Sequence, residues 1–122
     1  MAVVVDASAI GAIAFGEPEG PTLAAYLEGE TMLSPSLVDY ELSNLALKKA
    51  RRRPADAPSI AVALHAALAL PIRRVAVPGL EVFALARQTG LTAYDASYLW
   101  LARARDAELV TLDDLLNRHA TN

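Results

Sequence analysis

The chain begins MAVVVDASAIGAIAF (residues 1–15), and the segment VVVDAS, from Val3 to Ser8, decides which fold it adopts. Three consecutive valines predict a short strand that is buried on both faces, as the strands of a covered parallel sheet are. The strand stops at Asp6, so a carboxylate follows directly on a buried segment. Such an aspartate either caps the helix that follows or forms one wall of a charged site. The rest of the sequence bears on this choice.

Length and composition indicate a globular protein. The 122 residues are expected to form one domain (residues 1–122), and 54% hydrophobic with 20% charged residues argues against disorder. No apolar run approaches the ~20 residues that a membrane-spanning helix needs. No basic leader precedes the first apolar run, so a secretory signal is not expected. The absence of cysteine excludes disulfides and thiolate metal sites, and it is compatible with a cytoplasmic location.

The net charge of −3 is a weak argument against a protein that coats nucleic acid. If four of the 14 acidic residues surrounded metal ions, ten would remain against 11 lysines and arginines. The rest of the surface would then be close to neutral, with local basic patches. Overall charge therefore does not identify the partner.

Short aliphatic segments alternate with helical patterns along the chain. Strands are predicted at Ala2–Val5 and Glu108–Thr111, and with a weaker pattern at Thr31–Ser34 and Arg73–Val77. Helices are predicted at about Ala7–Ala14, Pro21–Glu28, Ser36–Arg53, Ser59–Leu70, Pro78–Thr89 and Ala93–Arg105, with a short one after Thr111. This alternation predicts an α/β sandwich in which helices cover both faces of a parallel sheet.

Two aspartates follow predicted strands. Asp6 comes just after the first strand and Asp113 just after the last, so both reach the same sheet edge if these strands are neighbours. Thr111 and Asp114 have the spacing of a capping box, which gives Asp114 a structural role and leaves Asp113 without one. Taken alone, each acid is as easily explained as a helix cap.

Glu41 has no evident structural role on the long predicted helix. Ser36 and Asp39 have capping spacing at its start, whereas Glu41 lies on the stripe of Leu37 and Leu45 that should face the core. A buried unpaired carboxylate costs several kcal/mol, so it needs a cation or strong donors. Asn44, one turn later on the same face, is a candidate to orient it.

Asp95 is a fourth acid with two interpretations. Thr92 and Asp95 have capping-box spacing, but Asp95 also heads the apolar stripe of Tyr98, Leu99 and Ala102. Acids that point inward without histidine or cysteine beside them provide no nucleophilic dyad. An oxygen-only cluster suits Mg²⁺ or Mn²⁺, and metal ions held in this way activate water and stabilise the leaving oxygen in phosphodiester hydrolysis. The spacing thus favours a metal-dependent phosphoryl-transfer site.

With these four acids in order, the chain resembles a PIN domain, in particular a VapC-like toxin of a type II toxin–antitoxin pair. The matching segments are VVVDASAI (residues 3–10), SPSLVDYELSNLALKKARRR (residues 34–53) and GLTAYDASYLWLARARDAELVTLDDLL (residues 90–116). Each motif is short, and the specificity lies in the four occurring in order.

The resemblance implies a three-layer α/β/α fold with a short, mainly parallel central sheet. It also implies a Mg²⁺- or Mn²⁺-dependent endoribonuclease in which Asp6, Glu41, Asp95 and Asp113 form the catalytic, metal-binding pocket. Ser8, Asn44 and Thr111 match the family's supporting polar residues. The partners implied are an RNA substrate, an antitoxin that blocks the acidic pocket and a second copy of the chain in a homodimer, without a membrane.

One departure concerns the C-terminus. PIN chains of this type commonly end with a further short strand, whereas this sequence ends LLNRHATN (residues 115–122). A fifth strand is therefore expected to be absent or rudimentary.

The densest basic stretch ends the helix of Glu41. Lys48, Arg51, Arg52 and Arg53 are candidates to bind RNA phosphates, and the alternative is that they only complement the helix dipole. The aromatic residues Tyr94, Tyr98 and Trp100 fit base stacking, but their helical spacing favours core or dimer contacts.

Two rival functions stay open. A haloacid-dehalogenase-like phosphatase also begins with a strand that ends in aspartate, but Ser8 occupies the place of its second aspartate. The other rival is a PIN-like module that binds RNA or a protein without turnover. His65 has no second histidine at ligand spacing and is interpreted as a core or surface residue.

Overall fold

The computed structural model describes residues 1–120, in which strands and helices alternate along the chain. The strands are β1 (Ala2–Val5), β2 (Thr31–Pro35), β3 (Ile72–Val75) and β4 (Glu108–Val110). The α-helices are α1 (Ala7–Ala14), α2 (Gly20–Leu27), α3 (Val38–Arg52), α4 (Ala57–Leu68), α5 (Gly79–Thr89), α6 (Ala93–Ala104) and α7 (Asp114–Ala120), and a 3-10 helix covers Pro54–Asp56. Within this part of the chain, no helix is long and apolar enough to cross a lipid bilayer.

The four strands form one sheet with the order β3-β2-β1-β4, and every neighbouring pair is parallel. This confirms the predicted α/β fold. The first strand lies inside the sheet, where Val4 is in register with Leu33 of β2 and with Leu109 of β4. The β1 and β4 strands are therefore neighbours, and their carboxyl ends lie side by side.

The valines of β1 contribute to two separate hydrophobic cores. Val4 belongs to a core formed with α5, α6 and α7, whereas Val3 and Val5 belong to a core formed with α1, α2, α3 and α4. Since successive side chains of a strand point to opposite faces, the two cores lie on opposite sides of the sheet. The result is the expected three-layer α/β/α arrangement.

The third helix begins later than its sequence indicated. It starts at Val38, its N-cap residue is Leu37, and no side chain caps it, so the predicted pairing of Ser36 with Asp39 is wrong. Asp39 instead accepts from Arg74 of β3, at 2.7 Å from Nη2. Arg74 also donates to the backbone carbonyl of Ile72 in its own strand. The bond between Arg74 and Asp39 therefore joins the edge strand β3 to α3.

The predicted short helix after Thr111 is present as α7. The last element among residues 1–120 is α7, and the sheet formed by these residues has four strands. The expected absence of a fifth strand concerned residues 115–122, of which Thr121 and Asn122 lie outside the described residues.

Gly20 and Gly79 are the first residues of two helices, and they give a matched test of the packing between α1 and α2. A Cβ at Gly20 would lie 2.6 Å from the carbonyl oxygen of Ala12, whereas a Cβ at Gly79 would meet nothing within 4 Å. We expect Gly20→Ala to lower the free energy of unfolding in urea by about 1–3 kcal/mol because α2 must move away from α1. Gly79→Ala should leave it unchanged or raise it by up to about 1 kcal/mol, and equal losses in both variants would contradict the close approach.

Candidate active site

A pocket of about 520 Å³ opens at the carboxyl ends of β1 and β4, between α1, α3 and α6. All four acids singled out in the sequence line it, from four different parts of the chain: Asp6, Glu41, Asp95 and Asp113. Neither histidine nor cysteine contributes to the lining. The fold therefore brings the predicted acidic residues together in one cavity.

Asp6 is a helix cap and a wall of the pocket at once. Its side chain is 4% exposed, and Oδ1 accepts from the N–H of Ala9 at 3.1 Å and from Ser8 Oγ at 2.7 Å. The other oxygen, Oδ2, accepts from Thr111 Oγ1 at 2.5 Å. Asp6 is therefore itself the N-cap of α1.

Burial is the main influence on the protonation of Asp6. It raises the pKa of the carboxyl, the hydrogen bonds from Thr111, Ser8 and Ala9 lower it in part, and the nearby charge of Asp113 raises it further. The net effect is a pKa above the ordinary value of 3.8. The carboxylate is thus held in one orientation by three neutral donors.

Glu41 is oriented by a residue that sequence reasoning assigned elsewhere. The hydroxyl of Tyr98 donates to Glu41 Oε1 at 2.6 Å, and Tyr98 itself is only 1% exposed. Asn44, the predicted orienting residue, lines the same pocket without bonding to Glu41. Burial raises the pKa of Glu41, the bond from Tyr98 lowers it in part, and the charges of Asp95 and Asp6 raise it again.

Asp95 lies in the first turn of α6, with its carboxylate in the pocket. Its backbone N–H donates to Thr92 Oγ1 at 3.1 Å, which confirms Thr92 as the N-cap. Burial raises the pKa of Asp95, the charges of Asp113 and Asp6 raise it further, and a hydrogen bond with the Thr92 side chain lowers it in part. Asp95 therefore takes part in the start of α6 and also lines the pocket.

The fourth acid, Asp113, caps α7, a role that the sequence pattern gave to Thr111 and Asp114. Asp113 Oδ1 accepts from the N–H of Leu116 at 2.8 Å, so Asp113 and not Thr111 provides the side-chain cap of α7. Thr111 Oγ1 accepts from the N–H of Asp113 at 3.0 Å and donates to Asp6. Asp114 does not line the pocket.

Comparison with known proteins agrees with this geometry, because residues 3–122 match the PIN domain family. The chain belongs to the PIN domain family. It is 35% identical over 118 residues to the protein named Ribonuclease VapC3 of Pyrobaculum aerophilum, covering 93% of this chain and 90% of that protein. It is likewise 35% identical over 111 residues to Ribonuclease VapC9 of Mycobacterium tuberculosis, covering 91% of this chain and 85% of that one.

A solved structure supports the same assignment. The crystal structure of PAE2754 from Pyrobaculum aerophilum superposes with a TM-score of 0.77 at 33% identity, covering 98% of this chain and 88% of that one. The PIN fold identified from the sequence is confirmed. Membership in this family, with Ser8 serving as a donor to Asp6, also favours the PIN interpretation over a haloacid-dehalogenase-like phosphatase.

The basic residues of the PIN domain separate into two groups. Lys48 lines the pocket, whereas Arg51 and Arg52 in the last turn of α3 and Arg53 after it are exposed and lie outside the lining. The sequence placed Lys48 two turns from Glu41 on the same face of the helix, and the structure agrees.

Three tyrosines line the pocket, and the sequence indicated their positions only in part. Tyr98 was interpreted as a core or dimer residue, but its buried ring carries a hydroxyl that reaches Glu41. Tyr94 is 65% exposed and Tyr40 is 80% exposed, so neither is a core residue. The sequence feature that could have identified Tyr40 as a pocket residue is its position directly before Glu41. Trp100 packs against the core beside α5, α6 and α7, and His65 is exposed on α4.

The donor set of the PIN pocket fits a hard divalent cation. The four carboxylates supply oxygen ligands only, which Mg²⁺ and Mn²⁺ prefer. Among residues 1–120, no group of three acidic, histidine or cysteine side chains is placed to hold an ion by itself, and Mg²⁺ usually keeps several water ligands in proteins. Burial and the charges of neighbouring acids raise the pKa values of Asp6, Glu41 and Asp95, and a cation would compensate that charge.

Replacing Glu41 with Gln tests whether the charge of this carboxylate destabilises the metal-free fold. The folded-state pKa of Glu41 is raised above its ordinary value of 4.5. Protonated Glu41 therefore stabilises the fold at pH values below its unfolded-state pKa. This contribution is lost as the pH rises through its folded-state pKa. In chelator, Glu41→Gln should match the wild type in free energy of unfolding near about pH 4 and exceed it at neutral pH.

The measurement is urea unfolding at a series of pH values. The exposed Glu81 provides the control, since Glu81→Gln should show no such divergence from the wild type with pH. If Glu41→Gln had a lower free energy of unfolding than the wild type at neutral pH in chelator, the charge of Glu41 would not destabilise the metal-free fold.

Proposed function

We propose that this PIN domain is a Mg²⁺- or Mn²⁺-dependent endoribonuclease that hydrolyses RNA phosphodiester bonds and acts as the toxin of a toxin–antitoxin pair. The observation that carries the proposal is the meeting of four carboxylates in one open pocket at the sheet edge. Relatives covering about nine-tenths of the chain are named VapC ribonucleases, which supports the same reaction.

The proposed catalytic and metal-binding residues are Asp6, Glu41, Asp95 and Asp113. A divalent ion bound there would supply an activated water and stabilise the leaving oxygen. The protein's own groups hold the carboxylates in place: Ser8 and Thr111 donate to Asp6, and Tyr98 donates to Glu41. Asp6 Oδ2 and Glu41 Oε1 each accept one of these bonds and retain a second lone pair for another contact, whereas Asp6 Oδ1 accepts two bonds.

The supporting residues restrict rotation of the acids rather than react. Ser8 Oγ also accepts from the N–H of Leu112 at 3.0 Å, so the hydroxyl joins the start of α1 to the loop after β4. Thr111 joins the same loop to Asp6. We assign Asn44 to the rim, where it borders the substrate, because it lines the pocket without bonding to Glu41.

The proposed partners follow from the same pocket. An antitoxin segment that carries an arginine would be attracted by the acidic lining and would block access to it. Homodimerisation and action in the cytoplasm belong to the proposal through the resemblance to VapC-like toxins. A PIN-like module that only binds RNA is the alternative, and it differs from the proposed enzyme in predicting binding without cleavage.

Cleavage of RNA in the presence and absence of metal is the decisive assay. We expect cleavage with Mg²⁺ or Mn²⁺, none in chelator, and recovery when metal is returned. Asp6→Asn and Asp113→Asn should each lower kcat about 100-fold or more, because each removes a charge from the metal-binding pocket.

Asp114→Asn is the matched control for Asp113→Asn, since the neighbouring acid lies outside the pocket lining. It should retain wild-type activity. Cleavage that survives both chelator and Asp6→Asn would overturn the metal-dependent mechanism, whereas RNA binding without any cleavage would support the alternative of a binding module.

Removing Lys48 tests whether the pocket's lysine binds an RNA phosphate. Lys48→Ala should raise KM several-fold and reduce the slope of log affinity against log salt by about 1. The control Arg105→Ala removes the same charge after the far end of α6, outside the lining, and should leave the slope unchanged.

The exposed residues Arg51, Arg52 and Arg53 are tested together in the same measurement. If they extend the phosphate-binding rim, the triple alanine variant should flatten the salt dependence further. A triple variant whose RNA affinity equals that of the wild type at every salt concentration would show that these arginines only complement the dipole at the end of α3.

A further inference from the structure

Two exposed tyrosines border the acidic pocket, and no contact within the fold accounts for them. Tyr40 is 80% exposed and Tyr94 is 65% exposed, and both line the pocket. Neither ring belongs to either hydrophobic core of residues 1–120, and neither hydroxyl bonds to another of these residues. Large apolar side chains exposed beside a polar cavity typically mark a binding surface.

The chain's other two tyrosines have structural roles, which makes this pair distinct. Tyr98 is buried and donates to Glu41. Tyr26 is exposed on α2, but its hydroxyl donates to Glu108 at 2.7 Å. Of the four tyrosines in the sequence, Tyr40 and Tyr94 are the two whose hydroxyls bond to no other described residue.

The two rings occupy equivalent positions on two different helices. Tyr40 directly precedes Glu41 on α3, and Tyr94 directly precedes Asp95 on α6. Adjacent helical residues diverge by about 100°, so the half-buried acid turns inward while the tyrosine before it stays at the rim. The acidic floor is therefore flanked by an aromatic ring from each of two helices.

We infer that Tyr40 and Tyr94 stack on the bases of unpaired nucleotides on either side of the phosphate that lies over the acids. The inference rests on the proposed ribonuclease function and assigns the two tyrosines the role of positioning the RNA strand over the acids. Aromatic side chains stack on any base because every base has a π face. Bases within a duplex are already stacked on each other, so their faces are not available to the tyrosines.

Charge favours nucleotides over a protein segment as the occupant of this rim. The basic side chain among the pocket-lining residues is Lys48, which suits a phosphate, and the acidic floor suits a phosphate once a divalent cation is bound. An arginine of a protein partner could also lie over a tyrosine ring, but one arginine would occupy one ring, whereas two bases of one RNA strand can occupy both. We therefore assign the rings to bases.

The test uses a single-stranded oligonucleotide that spans a cleavage site mapped with the wild-type enzyme. Tyr40→Ala and Tyr94→Ala should each lower kcat/KM about 5- to 100-fold, the range expected for loss of one base stack. Tyr→Phe at either position should keep activity within about 3-fold of the wild type, because the ring is retained. Tyr→Leu should not, because an aliphatic side chain has no flat face.

Oligonucleotides with a single abasic position identify the stacked nucleotides. One abasic position should mask the effect of Tyr40→Ala, and a different one should mask that of Tyr94→Ala, since the partner of the missing ring is already gone. In an Asp6→Asn background, 2-aminopurine at each of these positions should be quenched on binding, and the corresponding Tyr→Ala change should remove the quenching. A structural role of the tyrosines would produce neither result.

Tyr26→Ala is the control, since it removes an exposed tyrosine outside the pocket lining, and it should not change kcat/KM. If Tyr→Phe is as harmful as Tyr→Ala, if Tyr→Ala has no effect, or if no abasic position masks it, the stacking inference is overturned while the ribonuclease function stands. Variants that lose affinity only for an inhibitory protein would also overturn it. If the wild type cleaves no RNA with metal, the proposed function itself fails.

Discussion

The structure depends on the placement of one buried carboxylate at the end of a strand that is covered on both faces. Asp6 is 4% exposed, and burial of an unpaired carboxylate costs several kcal/mol. Its donors are the N–H of Ala9, the hydroxyl of Ser8 and the hydroxyl of Thr111. Because Thr111 follows β4, the bond also holds the ends of two neighbouring strands together. The same contacts that make the fold tolerate this charge therefore build the pocket.

Capping and function are combined in the same side chains. Asp6 caps α1 and Asp113 caps α7, yet both line the pocket. A cap fixes the side-chain rotamer because one carboxylate oxygen must meet a backbone N–H, and it leaves the remaining lone pairs for other contacts. Choosing between cap and site acid, as the sequence pattern suggested, is thus a false alternative for these two residues.

The sequence predicted the fold class and element order well because both depend on local pattern. Successive residues of a strand point to opposite faces of a sheet, and Val3 and Val4 accordingly belong to the two different cores. Two of the wrong predictions involve partners that are distant in sequence. Asp39 bonds to Arg74, 35 residues away, and Glu41 bonds to Tyr98, 57 residues away; periodicity gives the face on which a side chain lies but not what meets it there.

The distribution of charge explains how an acidic protein can have a polyanion as its proposed substrate. The whole chain has a net charge of −3, but outside the pocket ten acidic residues remain against ten lysines and arginines, since Lys48 lines the pocket. The excess negative charge is thus concentrated in the pocket, where burial and the charges of neighbouring acids raise the pKa values of Asp6, Glu41 and Asp95. A fold with such a pocket sacrifices some stability for its site. Binding of a divalent cation would relieve that repulsion, and the surface that an RNA strand meets would then no longer be negative overall.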